Sequence, residues 1–123
     1  VPSEKHRAIY ETVRRANAAA EAILKPGVPL CEVDKAARQI IEDAGYGPNF
    51  THRLGHFIGL EVHEYGDVSS ANTKVAEVGN IFSIEPGIYV EGEVGVRIED
   101  LVLITEDGCE ILNFYSKELD IVE

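Results

Sequence analysis

Gly45 divides this chain into two stretches with different hydrophobic periods, and that change restricts the fold more than any other feature. Before it, Ile9, Val13, Ala16, Ala20 and Ile23 step by fours and threes, the stripe of an amphipathic helix. Alanines at 16, 18, 19, 20 and 22 favour that conformation. Ser3 fits an N-cap for a helix starting near Glu4, and Pro26-Gly27 followed by Pro29 ends it. A second helix is expected over residues 31–44, with Val33, Ala37, Ile40, Ile41 and Ala44 inward and Gly45 just past its end. After Gly45 the helical period returns only over residues 70–77. Ile81-Phe82-Ser83-Ile84 reads as a strand, Pro86-Gly87 breaks it, and Ile88-Tyr89-Val90 resumes it. Beyond a turn at Glu91-Gly92-Glu93, Val94, Val96 and Ile98 alternate with Gly95, Arg97 and Glu99. This is one half-buried strand running on through residues 101–104. Glu106-Asp107-Gly108 is a hairpin turn into residues 109–112. The expected class is α+β, two helices packed on a mostly antiparallel sheet.

At 123 residues the chain is expected to form a single unit with a real core. Its formal net charge of −11 repels phosphate backbones and anionic lipid, so nucleic acid and membrane surfaces are poor partners. No apolar run approaches the ~20 residues that span a bilayer, and no basic-then-apolar signal segment is present. Cys31 and Cys109 form no motif, which fits a reducing compartment, and a cytoplasmic location is expected. The chain has no methionine and opens Val1-Pro2-Ser3, so it is expected to be a piece of a longer protein.

Three of the four histidines fall within Thr51-His52-Arg53-Leu54-Gly55-His56-Phe57-Ile58-Gly59-Leu60-Glu61-Val62-His63-Glu64. His56 and His63 are seven apart, which on an unbroken strand puts them on opposite faces. A bend at Gly59 would turn both into one cleft. His52 and His56, four apart, share a face. Downstream, Glu85 is out of phase with Phe82 and Ile84, and Arg97 and Glu99 share a face opposite Val96 and Ile98. Such charges ordinarily lie on the solvated side of a sheet. Against that, Ser83-Ile84-Glu85-Pro86-Gly87 sets a carboxylate at a sharp break, from which it could enter a cleft. Imidazoles and carboxylates together form the ligand set for Zn, Mn, Co or Fe, and a metal so held can activate water.

The run from His52 to Glu64, Ser83-Ile84-Glu85-Pro86-Gly87-Ile88-Tyr89 and Gly95-Val96-Arg97-Ile98-Glu99-Asp100 together resemble the pita-bread metallopeptidases. That family includes prolidase, aminopeptidase P, methionine aminopeptidase and the non-peptidase creatinase. The resemblance covers nearly the whole chain, since Lys25-Pro26-Gly27 and Ala44-Gly45-Tyr46-Gly47 also match. It implies that His56, Glu85 and Glu99 are metal ligands within a site for two divalent ions (Mn, Co, Zn or Fe). It further implies that Glu85 is the general base or acid, and that His63 binds substrate and stabilises the tetrahedral intermediate. His52 would line the cleft, and Arg97 would hydrogen-bond a carboxylate or substrate group.

Two departures refine the reading. Phe57 stands where many members have glycine, and Tyr65-Gly66-Asp67 where many have a proline, a pattern more like prolidase and aminopeptidase P than methionine aminopeptidase. The family's two aspartate ligands precede the first helix of this half, and Asp34 and Asp43, on the second helix, cannot stand in for them. The expectation is therefore the C-terminal half of a pita-bread catalytic domain from an Xaa-Pro dipeptidase or aminopeptidase, acting on peptides with proline after the first residue and homodimeric. Alone, it is expected to be inactive and to hold at most one ion. The rivals are a creatinase-like or methionine aminopeptidase activity on the same scaffold, and a binding module that lost the chemistry.

Overall fold

The computed structural model describes residues 4–58, 67–92 and 94–112. Helix α1 (Glu4–Ile23) buries Ile9, Val13, Ala16 and Ala20 completely, as the four-three-four spacing requires. Ile23, expected inward, is exposed because it closes the helix, and Leu24 takes the buried position one residue later. The Ser3 cap lies outside the described residues. Helix α2 (Leu30–Asp43) buries Leu30, Val33, Ala37 and Ile41, while Ile40 is half-buried and Ala44, now the C-cap, is exposed. Gly45 takes φ +90°, and the Tyr46 amide bonds the Ile41 carbonyl at 3.0 Å. This left-handed stop is one that glycine adopts without a Cβ clash.

No helix forms over residues 70–77, contrary to the expectation from their spacing. Their backbone groups are taken by the start of α2 instead. Leu30 N–H donates to the Lys74 carbonyl (2.8 Å) and Cys31 N–H to that of Asn72 (2.7 Å). Gly27 N–H bonds the Ala76 carbonyl, Ala76 N–H returns to Val28, and Pro29 bridges Val75 antiparallel. Residues 72–76 thus run extended beside 27–31 and satisfy amides that a helix N-terminus leaves open.

All strand pairs among the described residues are antiparallel. β1 (Gly55–His56) pairs with β2 (Asp67–Val68). β3 (Ile81–Ile84) pairs with β6 (Asp100–Ile104), which pairs with β7 (Cys109–Ile111). β4 (Gly87–Val90) pairs with β5 (Val94–Arg97). A bridge between Phe57 and Phe82, with Ile58 N–H bonding the Ile81 carbonyl at 2.8 Å, lays the end of β1 along β3.

The continuous strand expected from Val94 to Ile104 is in fact two, broken at Ile98-Glu99. The registers Ile84↔Asp100 and Gly87↔Arg97 set this break directly opposite the one at Glu85-Pro86. Ile98 N–H bonds the Pro86 carbonyl across the gap at 3.2 Å. Proline has no N–H to offer a ladder, so the pairing must lapse there, and its partner strand lapses with it.

Helix α1 packs on β3, β4 and β5, and α2 packs on α1 and β2. The core between them holds Phe82, Ile84, Ile88, Val96 and Val102, each essentially buried and contributing ~1.5–3 kcal/mol of transfer free energy. Buried Asn17 in α1 donates to the Ile84 carbonyl at 3.4 Å, tying the helix to the last residue before the Glu85 break. Among the described residues, no helix is long and apolar enough to cross a membrane.

Candidate functional site

The site begins at Gly55. A Cβ there would lie 1.7 Å from the Ser83 carbonyl oxygen, so only glycine lets β1 approach β3 this closely. The approach lets His56 N–H donate to buried Ser83 Oγ at 3.1 Å. It also brings His56 Nε2 to 3.6 Å from Glu85 Oε2. The other ring nitrogen, Nδ1, is 3.3 Å from the Phe57 carbonyl. A carbonyl only accepts, so that contact favours the tautomer with its proton on Nδ1 and a lone pair on Nε2 facing the carboxylate.

Glu85 occupies one strand break and Glu99 the other. Glu85 N–H is fixed by the Leu54 carbonyl at 2.7 Å, and its Oε1 is 3.9 Å from Arg97 Nη1. Burial, followed by the charge of Glu85 and a side-chain hydrogen bond with it, pushes the Glu99 pKa up from 4.5, while Arg97 and His56 oppose the rise. The neighbouring Glu85 carboxylate disfavours the charged form of Glu99 unless a cation lies between them. Tyr89 is also pushed upward, chiefly by burial. The charge of Arg97 opposes this, that of Glu85 adds to it, and a hydrogen bond with Arg97 again lowers it.

An open cleft of ≈ 570 Å³ is lined by His52, Arg53, Asp67, Glu85 and Arg97. His52 stands between Phe50 (ring centroids 5.0 Å apart, edge-on) and Tyr89 (5.7 Å), with Nδ1 2.6 Å from the Arg53 carbonyl. Of the residues singled out in the sequence, the structure therefore gathers His52, His56, Glu85, Arg97 and Glu99. His63 and the proposed bend at Gly59 lie outside the described residues. Sequence reasoning passed over Asp67, which faces His56 across the β1–β2 ladder, and Arg53, which sat unremarked within the histidine segment. It also missed Tyr89, whose place beside the Glu85 break was visible in the sequence.

One imidazole nitrogen and two carboxylates suit Zn, Mn, Co or Fe. The contacts are pairwise, His56 with Glu85 and Glu85 with Glu99. Among the described residues, no group of three or more His, Cys, Asp or Glu converges closely enough to hold a metal ion. The donor types fit such an ion, while the described residues alone do not form a cage for it.

The model of metallopeptidase family M24 matches residues 1–106. The chain belongs to this family. M24 relatives include uncharacterized peptidases of Staphylococcus haemolyticus (55% identical over 116 residues) and Staphylococcus aureus (51%). Each match takes in 94% of this chain and 33% of the relative. Among solved structures, the prolidase from Pyrococcus horikoshii is 46% identical with TM-score 0.92, over 98% of this chain and 35% of its own. The X-Pro aminopeptidase from Thermotoga maritima is 42% identical with TM-score 0.90, over 96% and 34%. This M24 chain thus spans about a third of the length of the proteins it matches, with the fold expected from its motifs.

Proposed function

We propose that this chain is the C-terminal half of the catalytic domain of a proline-specific M24 metallopeptidase that hydrolyses an Xaa-Pro bond. The observation that carries the reading is the alignment of the two strand breaks, which sets Glu99 against Glu85 and leaves Glu85 facing His56. Its likeness to a solved prolidase and a solved X-Pro aminopeptidase supports the proline specificity.

His56, Glu85 and Glu99 would hold divalent ions (Mn, Co, Zn or Fe), with further ligands from elsewhere in the longer protein. Ions bound there supply Lewis acidity and a water of lowered pKa. Glu85 would accept a proton on a carboxylate oxygen and return it to the leaving amine. Arg97, within 3.9 Å of Glu85 Oε1, holds that carboxylate in place and offers its remaining donors to a substrate carboxylate. His52 lines the wall on which the peptide lies, and His63 binds the substrate. The working protein is a cytoplasmic homodimer, and the substrate is a peptide with proline after its first residue.

The test uses the intact protein that carries this chain, assayed on an Xaa-Pro dipeptide and on a methionyl peptide. Preference for the dipeptide is expected. His63→Ala should lower turnover by ~10²–10⁴-fold with bound metal retained, whereas His56→Ala should lose metal. Preference for the methionyl peptide would overturn the proline assignment, and equal metal loss from both variants would overturn the division of roles.

A further inference from the structure

Helix α2 carries a largely buried ion pair, its Arg38 side chain 25% exposed, that the chemistry above does not use. Asp34 is 0% exposed, and Arg38, one turn later, closes on it twice, Nε to Oδ2 at 2.9 Å and Nη2 to Oδ1 at 3.1 Å. An exposed pair at this spacing stabilises a helix by only ~0.3–0.5 kcal/mol, and taking the charges out of water costs several kcal/mol per ion. Stiffening α2 does not account for putting the pair inside.

What the pair touches does account for it. Arg38 Nη1 donates to the Phe50 carbonyl at 3.1 Å and Nη2 to the His52 carbonyl at 3.0 Å, with the guanidinium 4.0 Å above the Phe50 ring. Leu54 N–H donates to Asp34 Oδ1 at 3.2 Å. Residues 50–54 belong to no helix or strand, so these bonds replace those a neighbouring strand would have supplied. Leu54 is also a junction. Its N–H bonds the Val68 carbonyl at 2.8 Å, and its carbonyl takes the Glu85 amide at 2.7 Å.

We infer that Asp34 and Arg38 are positioning residues for the candidate site. They hold the His52 carbonyl and the Leu54 amide and, through Leu54, the backbone of Glu85. That the positioned residues do chemistry rests on the function proposed above, while the clamp itself does not. Arginine is required because its planar fork reaches the carboxylate and both carbonyls at once, which a lysine ammonium cannot do from one point.

The test compares Arg38→Lys, which keeps the charge beside Asp34, with Ile41→Val, which loosens the same helix away from the clamp. In the intact protein that carries this chain, amide hydrogen exchange should show Leu54 and Glu85 exchanging about tenfold faster in R38K, with α2 amides still protected. I41V should show no such selectivity. A Zn²⁺ titration should show affinity about tenfold weaker in R38K and unchanged in I41V, the effect expected when a supporting shell is loosened. Unchanged exchange at Leu54 and Glu85 in R38K, or acceleration of all amides together, overturns the clamp. Selective loosening with Zn²⁺ affinity unchanged overturns its role at the site. Absence of Xaa-Pro turnover in the intact protein would defeat the proposed function and leave the exchange result standing.

Discussion

Helix α1 runs for twenty residues without interruption, whereas the strands it packs against stop and restart beside it. The helix does its work by repetition, with one apolar stripe meeting one core. The strands bury Phe82, Ile84, Val96 and Val102 in the same core. They also have to set the charged Glu85 and Glu99 side by side, away from that core. Breaking both strands at the same level resolves the conflict. Apolar residues stay in phase with the core on either side, and the carboxylates sit where the ladder lapses. Regularity serves the core in this chain, and its interruptions accommodate the paired carboxylates.

If that division holds, the largest effect belongs to the point where β1 presses on β3. Gly55→Ala should cost more than about 4 kcal/mol or prevent folding, since its Cβ would meet the Ser83 carbonyl oxygen at 1.7 Å. Gly108→Ala, whose Cβ would meet nothing nearer than Leu24 O at 3.6 Å, should stay within about 0.5 kcal/mol. Equal denaturation midpoints for the two would break the comparison. Next comes the helical side. Ile9→Ala in α1 empties a fully buried position and should cost about 2–5 kcal/mol by the same measurement. It should leave the His56–Glu85 contact intact, as judged by an unchanged Zn²⁺ affinity.

Ser83→Ala should cost about 1–3 kcal/mol, because it leaves the His56 amide without its Oγ partner. Unlike Ile9→Ala, it should also weaken Zn²⁺ binding. A Ser83→Ala variant with full affinity would show that β1 needs no such anchor.

The smallest effect is on pH dependence with a chelator present. Glu99 has its pKa raised above 4.5 in the folded chain, so the folded state binds that proton more tightly than the unfolded state does. The associated stability is present at low pH and is lost as pH rises from about 4.5 through the raised value. Denaturation across this window should show a pH slope that Glu99→Gln reduces. An identical slope in E99Q would mean that Glu99 does not bind its proton more tightly in the folded chain.

Much of this was legible in the sequence, because the regular elements advertise themselves. The stop at Gly45, the span Ile81–Ile84 and the core faces of both helices follow from period and punctuation. His56, Glu85 and Glu99 were legible through their motifs, although the break at Ile98-Glu99 was not. Alternation continues through it in the residue pattern, and only the pairing of Glu85-Pro86 on the facing strand forces it. The apparent helix over 70–77 failed because the amides at 27–31 claim that segment, a non-local demand that a local window does not register. Asp34 and Arg38 drew no attention as a pair in the sequence. Their burial and their carbonyl partners twelve and fourteen residues from Arg38 exist only in three dimensions.

The junction between β1 and β3 also sets an order of assembly. When residues 1–58 have left the ribosome, α1, the body of α2 and the Asp34–Arg38 clamp have their local partners, while the first amides of α2 await residues 72–76. His56, however, still lacks Ser83, which lies 27 residues on, and Asn17 lacks the Ile84 carbonyl, 67 residues on. Translation at ~5–20 residues per second is far slower than the pairing of two helices already synthesised. The histidine strand therefore waits, tethered to a folded helical hairpin, until the first long strand is synthesised and docks against it. Synonymous codon choices that slow translation between residues 58 and 84 would prolong that wait, during which the exposed edge of β1 is open to pairing with another chain.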